Sequence, residues 1–165
     1  MPRSLVLERG HFEAGIVPVA DFLVNGAGTA SDVINMKQYE FVRFVLFWGV
    51  GATGTNTLTI EACDDVVPTN KVAVPFWYRQ STAFGAIGGI LFQPVPATGL
   101  LTTAGSNKII ELYTTAEYIA GASPNGYGYV RLKSVPGVAS ALLGFCLIEL
   151  LTNKYQDSAE ASSIT

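Results

Sequence analysis

Apolar side chains recur at every second position along much of the chain, and helical spacing is rare. Between residues 40 and 48, Val42, Phe44, Leu46 and Trp48 form one unbroken apolar face, while Phe41, Arg43, Val45 and Phe47 form a second face that is apolar but for one charge. Side chains of an extended strand point alternately to its two sides, so this period of two predicts a strand with the first face in a core. After a glycine-rich turn, residues 57–63 alternate again, with Leu58, Ile60 and Ala62 inward and Thr57, Thr59 and Glu61 outward. The two segments are expected to pair as a hairpin. Further strands are predicted over residues 71–79, 86–93, 108–114, 127–135 and 142–151, with shorter ones near 33–36 and 4–9. Pro68-Thr69-Asn70, Gly105-Ser106-Asn107, Pro124-Asn125-Gly126 and Pro136-Gly137 supply turn signals between them. Residues 115–120 read as a single helical turn crossing between strands.

Short strands at this spacing predict an all-β fold, an antiparallel β-sandwich, jelly-roll-like, of about eight strands. Residues 1–151 read as one domain with an N-terminal arm. Residues 152–165, rich in Ser, Ala and acid, read as a polar tail that is a loose end or orders on a neighbour. The segment 142–151 is apolar on both faces apart from Glu149, so its second face must meet another layer or another subunit. A two-layer sandwich has no third layer of its own. Cover by the N-terminal segment or a long loop is one reading and a subunit contact the other, with Phe41, Val45, Phe47, Phe145 and Leu147 as the candidate interface. Outward charges at Arg43, Glu61, Glu111, Arg131, Lys133 and Glu149 are expected to form cross-strand ion pairs.

Composition sharpens this reading. The 165 residues are 49% hydrophobic and only 14% charged, against a usual charged share of about 25%, which favours contact with other protein over a free monomer. A net charge of −3 and a pI near 5.0 lack the basic footprint of a nucleic-acid binder. The first residues, Met1 to Arg9, carry too short an apolar core for a secretory signal, and the apolar stretch 83–101 is broken by Gly85, Gly88, Gly89, Pro94 and Pro96. Neither leader nor membrane span is expected, and synthesis in a cytoplasm is.

Reactive groups are few. Gly49-Val50-Gly51-Ala52-Thr53-Gly54 matches a dinucleotide fingerprint, yet a strand follows it where that chemistry needs a helix N-terminus, so it reads as a loop. Asp64-Asp65 lacks the spacing of a calcium loop, and two adjacent strand-end carboxylates point apart, unlike a glycosidase pair. His11 is the only histidine and no GxSxG occurs. Cys63 and Cys146 fall on separate strands without zinc spacing and read as buried thiols. Trp48, Trp77, Tyr78, Tyr127 and Tyr129 could suggest a sugar platform, but Trp48 falls on the core face and Trp77-Tyr78 splits between faces. No catalytic residue, cofactor or metal is expected.

One resemblance adds to this. Phe47-Trp48-Gly49-Val50-Gly51, Leu58 to Val66, Pro68-Thr69-Asn70 and Pro75-Phe76-Trp77-Tyr78-Arg79 are strand and turn motifs that resemble small virion proteins of tailed bacteriophages. Thr103 to Asn107, Glu111, Ala116-Glu117 and Tyr129 to Lys133 extend the likeness over residues 16–150. Similar proteins are capsid decoration (cement) proteins, β-sandwiches that sit as oligomers, often trimers, on an icosahedral head. The resemblance implies a non-enzymatic subunit on the virion surface, partnered by copies of itself and by the major capsid protein, and no nucleic acid or membrane. A carbohydrate- or receptor-binding module on the virion, or a head–tail or tail component, are the alternatives.

Overall fold

The computed structural model describes residues 10–20, 22, 28–51, 54–81, 92–103, 107–123, 126–139 and 141–153. In chain order the elements are β1 (Gly10–Val19), β2 (Thr29–Ala30), β3 (Ile34–Asn35), β4 (Tyr39–Gly51), β5 (Thr55–Cys63) and β6 (Lys71–Val74). They continue with β7 (Phe76–Ser81), β8 (Gln93–Val95), β9 (Leu100–Thr103), β10 (Lys108–Thr115), α1 (Ala116–Gly121), β11 (Tyr129–Val138) and β12 (Leu142–Asn153). A front sheet runs β1-β12-β4-β10-β7-β8, and a back sheet runs β2-β11-β5-β6 with β3 on β11 and β9 on β5. Every pairing is antiparallel. The all-β antiparallel sandwich is therefore the fold. Successive long strands change sheet, so that β1-β12-β4-β10 faces β3-β11-β5-β6, the connectivity of a jelly roll.

The core forms where the two alternating patterns meet. Val42, Phe44, Leu46 and Trp48 of β4 are buried alongside Ile110 and Leu112 of β10 and Cys146, Ile148 and Leu150 of β12. From the back sheet come Leu58, Ile60 and Ala62 of β5 with Val130 and Leu132 of β11. Full burial of side chains this size contributes about 1.5–3 kcal/mol each before chain entropy is set against it. At Gly144 a Cβ would lie 2.9 Å from the Phe22 ring, so the missing side chain is what lets Phe22 seal the edge of the core. Gly99 sits at φ +96, with Thr59 Cγ2 2.7 Å from where its Cβ would be; both the turn and the close approach require glycine.

Several sequence expectations change in the folded chain. Residues 40–48 and 57–63 do not form a hairpin: β4 lies in the front sheet and β5 in the back. Both segments turn their apolar even positions toward one core, which places them in opposite layers. The stretch 71–79 is two strands, because Pro75 has no N–H for a ladder and the chain crosses from one sheet to the other there. Pro136-Gly137 is not a turn but part of β11, accommodated by a register shift between Pro136 and Val138. Residues 10–19 form a long edge strand whose alternation is blurred by irregularities after Ala14 and Ile16. The strands expected at 4–9 and over most of 86–93, and the tail from 154 onward, lie outside the described residues. Among the described residues there are twelve strands where about eight were expected, because sheet changes split long segments and short bridges flank β11 and β5. The helical turn is present: Thr115 caps it, its hydroxyl accepting from the Tyr118 N–H at 3.4 Å, and Ile119 plugs the core.

One end of the interior is polar. Asn56 Nδ2 donates to Ser134 Oγ at 2.9 Å and Ser134 Oγ donates to Asn56 Oδ1 at 3.1 Å, both residues fully buried. Thr102 Oγ1 donates to the Asn56 carbonyl at 3.4 Å, tying β9 to β5. Removing Ser134 strands the Asn56 amide. The Ser134→Ala variant is expected to lose about 1–3 kcal/mol in urea unfolding, and the double variant Ser134→Ala/Asn56→Val to recover part of that loss, because no polar group is then left unpaired.

Candidate protein-interaction face

The two outer surfaces of the sandwich differ in kind. The back sheet presents Thr57, Thr59, Glu61, Arg131 and Lys133, broken by exposed Leu101 and Val135. Arg131 Nε donates to Glu61 Oε2 at 2.7 Å across β11 and β5. On the front sheet, the odd positions of β4 and β12 carry Phe41, Val45, Phe47, Phe145 and Leu147, all half-buried. Register pairs Phe145 with Phe47 and Leu147 with Val45. The two phenyl rings stack with centroids 4.5 Å apart and planes 7° from parallel. Phe12 on the neighbouring edge strand is 58% exposed, and Leu143 is exposed as well. The five candidate interface residues thus lie together on one face, gathered by the β4–β12 register.

An ion ladder crosses the same face. Arg43 Nε donates to Glu149 Oε2 at 2.6 Å and its Nη1 to Glu111 Oε2 at 3.2 Å. Arg79 Nε and Nη2 both donate to Glu111 at 2.8 Å, a bidentate pair. That pairing holds the Arg79 guanidinium above its ordinary pKa. Arg79 also lies over the Phe92 ring, 4.9 Å from its centroid. The order across β12, β4, β10 and β7 is negative, positive, negative, positive, so the ladder sums to zero. Glu149 is only 9% exposed among its apolar neighbours. Of the six charges expected to pair, which include Lys133, ion pairs are seen at Arg43, Glu61, Glu111, Arg131 and Glu149, and Arg79, not among those expected, joins the ladder. Its position opposite Glu111 depends on β7 turning at Pro75 to join the front sheet.

Trp77 reaches this face too. Its ring meets Tyr113 at 5.9 Å and Tyr118 at 5.4 Å, and Phe41 stacks on Tyr113 at 5.7 Å. Burial pushes the Tyr113 phenol up from its usual pKa. The Trp77 contacts are inclined at 52° and 64°, so these rings pack on one another and do not form a coplanar shelf. As expected, Trp48 lies in the core; Tyr78 packs against the core.

Elsewhere the polar groups are engaged locally. His11 Nε2 meets Glu13 Oε1 at 2.7 Å on the exposed edge strand. The Asp64 carboxylate accepts from the Thr69 and Asn70 backbones and the Asn70 amide, closing a loop. Those donors outweigh desolvation and hold Asp64 below its ordinary pKa. Cys63 and Cys146 are buried and unbridged. Burial pushes the Cys63 thiol up to about 11 despite nearby Arg131, and raises Cys146 further. Among the described residues no cluster of three or more His, Cys, Asp or Glu could hold a metal ion, and no helix is long and apolar enough to cross a membrane.

No known family's sequence model matches the chain, and no curated protein matches it. A solved structure of the N-terminal CBM22-1–GH10 modules of Clostridium thermocellum endo-1,4-β-D-xylanase 10B with xylohexaose aligns at a TM-score of 0.34 and 11% identity. The alignment covers 94% of this chain and 28% of that one. At that score the likeness informs neither topology nor site.

Two outcomes follow from the geometry. Glu111→Gln leaves two guanidinium groups facing each other with one partner between them, and is expected to cost about 1–3 kcal/mol in chemical denaturation, between the values for exposed and buried pairs. Both thiols should resist a thiol reagent at pH 8 in the native protein and react at once in denaturant. The raised Cys63 pKa also makes stability fall as pH climbs from 9 toward 11, since only the unfolded thiol ionises there.

Proposed function

We propose that this protein is a non-enzymatic structural subunit of a virion, a capsid decoration protein of the tailed-phage kind, made in the host cytoplasm and working by burying its front-sheet outer face against other protein. The observation that carries this reading is the pairing of an apolar face with a charge ladder already neutralised within the chain. A stripe of half-buried Phe, Leu and Val favours removal from water by about 25 cal/mol per Å². An isolated charge in such a stripe would oppose burial, but Glu149, Arg43, Glu111 and Arg79 already satisfy one another. Contact with a partner therefore buries apolar area without leaving an unpaired ion.

The virion setting is supported by the motif resemblance over residues 16–150, and the mode of action by the face itself. Decoration is work of this kind, because contacts repeated over many symmetric copies add up to a large mechanical effect. The partners are copies of the chain and the major capsid protein. The ring cluster of Phe41, Tyr113, Trp77 and Tyr118 is the observation that speaks for a glycan- or receptor-binding module. Its inclined planes and mutual packing favour protein contact over stacking on a sugar.

The test uses empty heads of the encoding phage stripped of minor proteins. The unmodified protein is expected to sediment with them at a fixed copy number and to raise the temperature at which they open. Phe145→Asp, whose side chain points away from the core, should fold with an unchanged circular dichroism spectrum and lose at least ~90% of the bound copies, as truncation of a buried aromatic anchor does. Heads that ignore the unmodified protein, together with hits on a glycan array, would sink the decoration reading.

A further inference from the structure

The charge order of the ladder specifies what covers the face. Read from β12 to β7 it is Glu149, Arg43, Glu111, Arg79, and reversing the direction turns every sign into its opposite. We propose that a second copy of this chain closes the front-sheet face, related to the first by a two-fold axis lying in the plane of the face and crossing the ladder between β4 and β10. The proposal rests on the reading above that this face is a protein contact, and adds the identity and orientation of the partner.

A two-fold rotation about that axis reverses the ladder while laying one face on the other. Glu149 then meets Arg79 of the second copy, and Arg43 meets Glu111 of the second copy. An axis running along the ladder would instead set each charge on its own kind, so charge alone selects between the two face-to-face arrangements. The required axis falls between the third and fourth of six strands, at the middle of the sheet order β1-β12-β4-β10-β7-β8. Each half of the face consequently lies over the other half: β4 over β10 of the second copy, β12 with Phe145 over β7, and β1 with Phe12 over β8.

Size and symmetry agree with this partner. Six strands at about 4.8 Å spacing and about seven residues of length give a footprint on the order of 600 Å², close to the ~800 Å² per partner of a stable interface. A contact in which the same patch is used on both sides closes only as a pair. The ladder thus specifies order two for this face, where the family resemblance implied three.

The deciding variant reverses the ladder's polarity: Glu149→Arg, Arg43→Glu, Glu111→Arg and Arg79→Glu together. Its internal pairs are preserved, and two reversed copies still match under the same two-fold. A reversed chain against an unmodified one, however, places like charge on like at all four positions. Native mass spectrometry of mixed, differently tagged chains is expected to show both homodimers, with the mixed dimer depleted about tenfold or more. Mixed dimers at the statistical share would overturn the proposal, as would a trimer or a monomer of the unmodified protein across micromolar to millimolar concentration.

If the fourfold variant does not fold, single cysteines serve. Chains carrying Glu149→Cys and Arg79→Cys should cross-link under mild oxidation when mixed and fail to do so separately, since the two positions oppose each other only across the axis. Equal cross-linking of each chain alone, or none in the mixture, would count against the geometry. Head sedimentation separates the two readings. A monomer that still binds heads through Phe145 removes the dimer and keeps the decoration function, whereas a dimer that ignores heads does the reverse.

Discussion

A slip of one residue in β4 against β12 or β10 would bring Arg43 into the core and push Phe44, Leu46 and Trp48 into water. Because strand side chains alternate, register is one decision for the whole element. It is taken at β4, the strand with the longest pairings on both sides: Tyr39 to Gly51 against β12, and Phe41 to Trp48 against β10. The inward row seals the sandwich against Leu58, Ile60 and Leu132, and the outward row assembles the apolar outer face. The ion ladder is a by-product of the same register and also a guard on it. Glu149, Arg43 and Glu111 come within hydrogen-bonding distance only in this alignment.

The front and back surfaces show what that decision does to the outside of the sandwich. Both sheets contribute to the core, yet one turns threonine and paired charge outward and the other phenylalanine, leucine and valine. Stability does not require the second choice, since an outward Thr serves a half-exposed strand as well as an outward Phe. Burial of Glu149 to 9% on the apolar side has the same significance. A carboxylate so placed is tolerable because Arg43 meets it with two nitrogens. Its desolvation is already completed in the free subunit, and little further penalty falls on association.

The chain's chemistry is correspondingly quiet. Its thiols are held protonated by burial, its histidine is tied to Glu13 on an edge strand, and its paired aspartates organise a loop through backbone amides. In the polar part of the interior, Asn56, Ser134 and Thr102 join β5, β11 and β9 near one end of the sandwich. The indole Nε1 of Trp48 is buried with no hydrogen-bond partner among the described residues.

Period-two alternation was enough to establish the β class, the inward faces of β4 and β5, and the outward side of the five apolar positions on β4 and β12. Each of those depends only on which side of a strand a residue occupies. The single helical turn was legible too, and Thr115 caps it. Which strands are neighbours is a different kind of information, because any two apolar faces can share a core from the same sheet or from opposite ones. The supposed hairpin of β4 and β5 failed for that reason, and β1 was missed because its bulges break the alternation. Arg79 joined the ladder and Trp77 the aromatic cluster only when the chain changed layers at Pro75, bringing residues more than thirty positions apart side by side. Alternation along a strand is local and legible in sequence; pairing between strands is set by long-range packing, and it alone turned four separate charges into one neutral ladder.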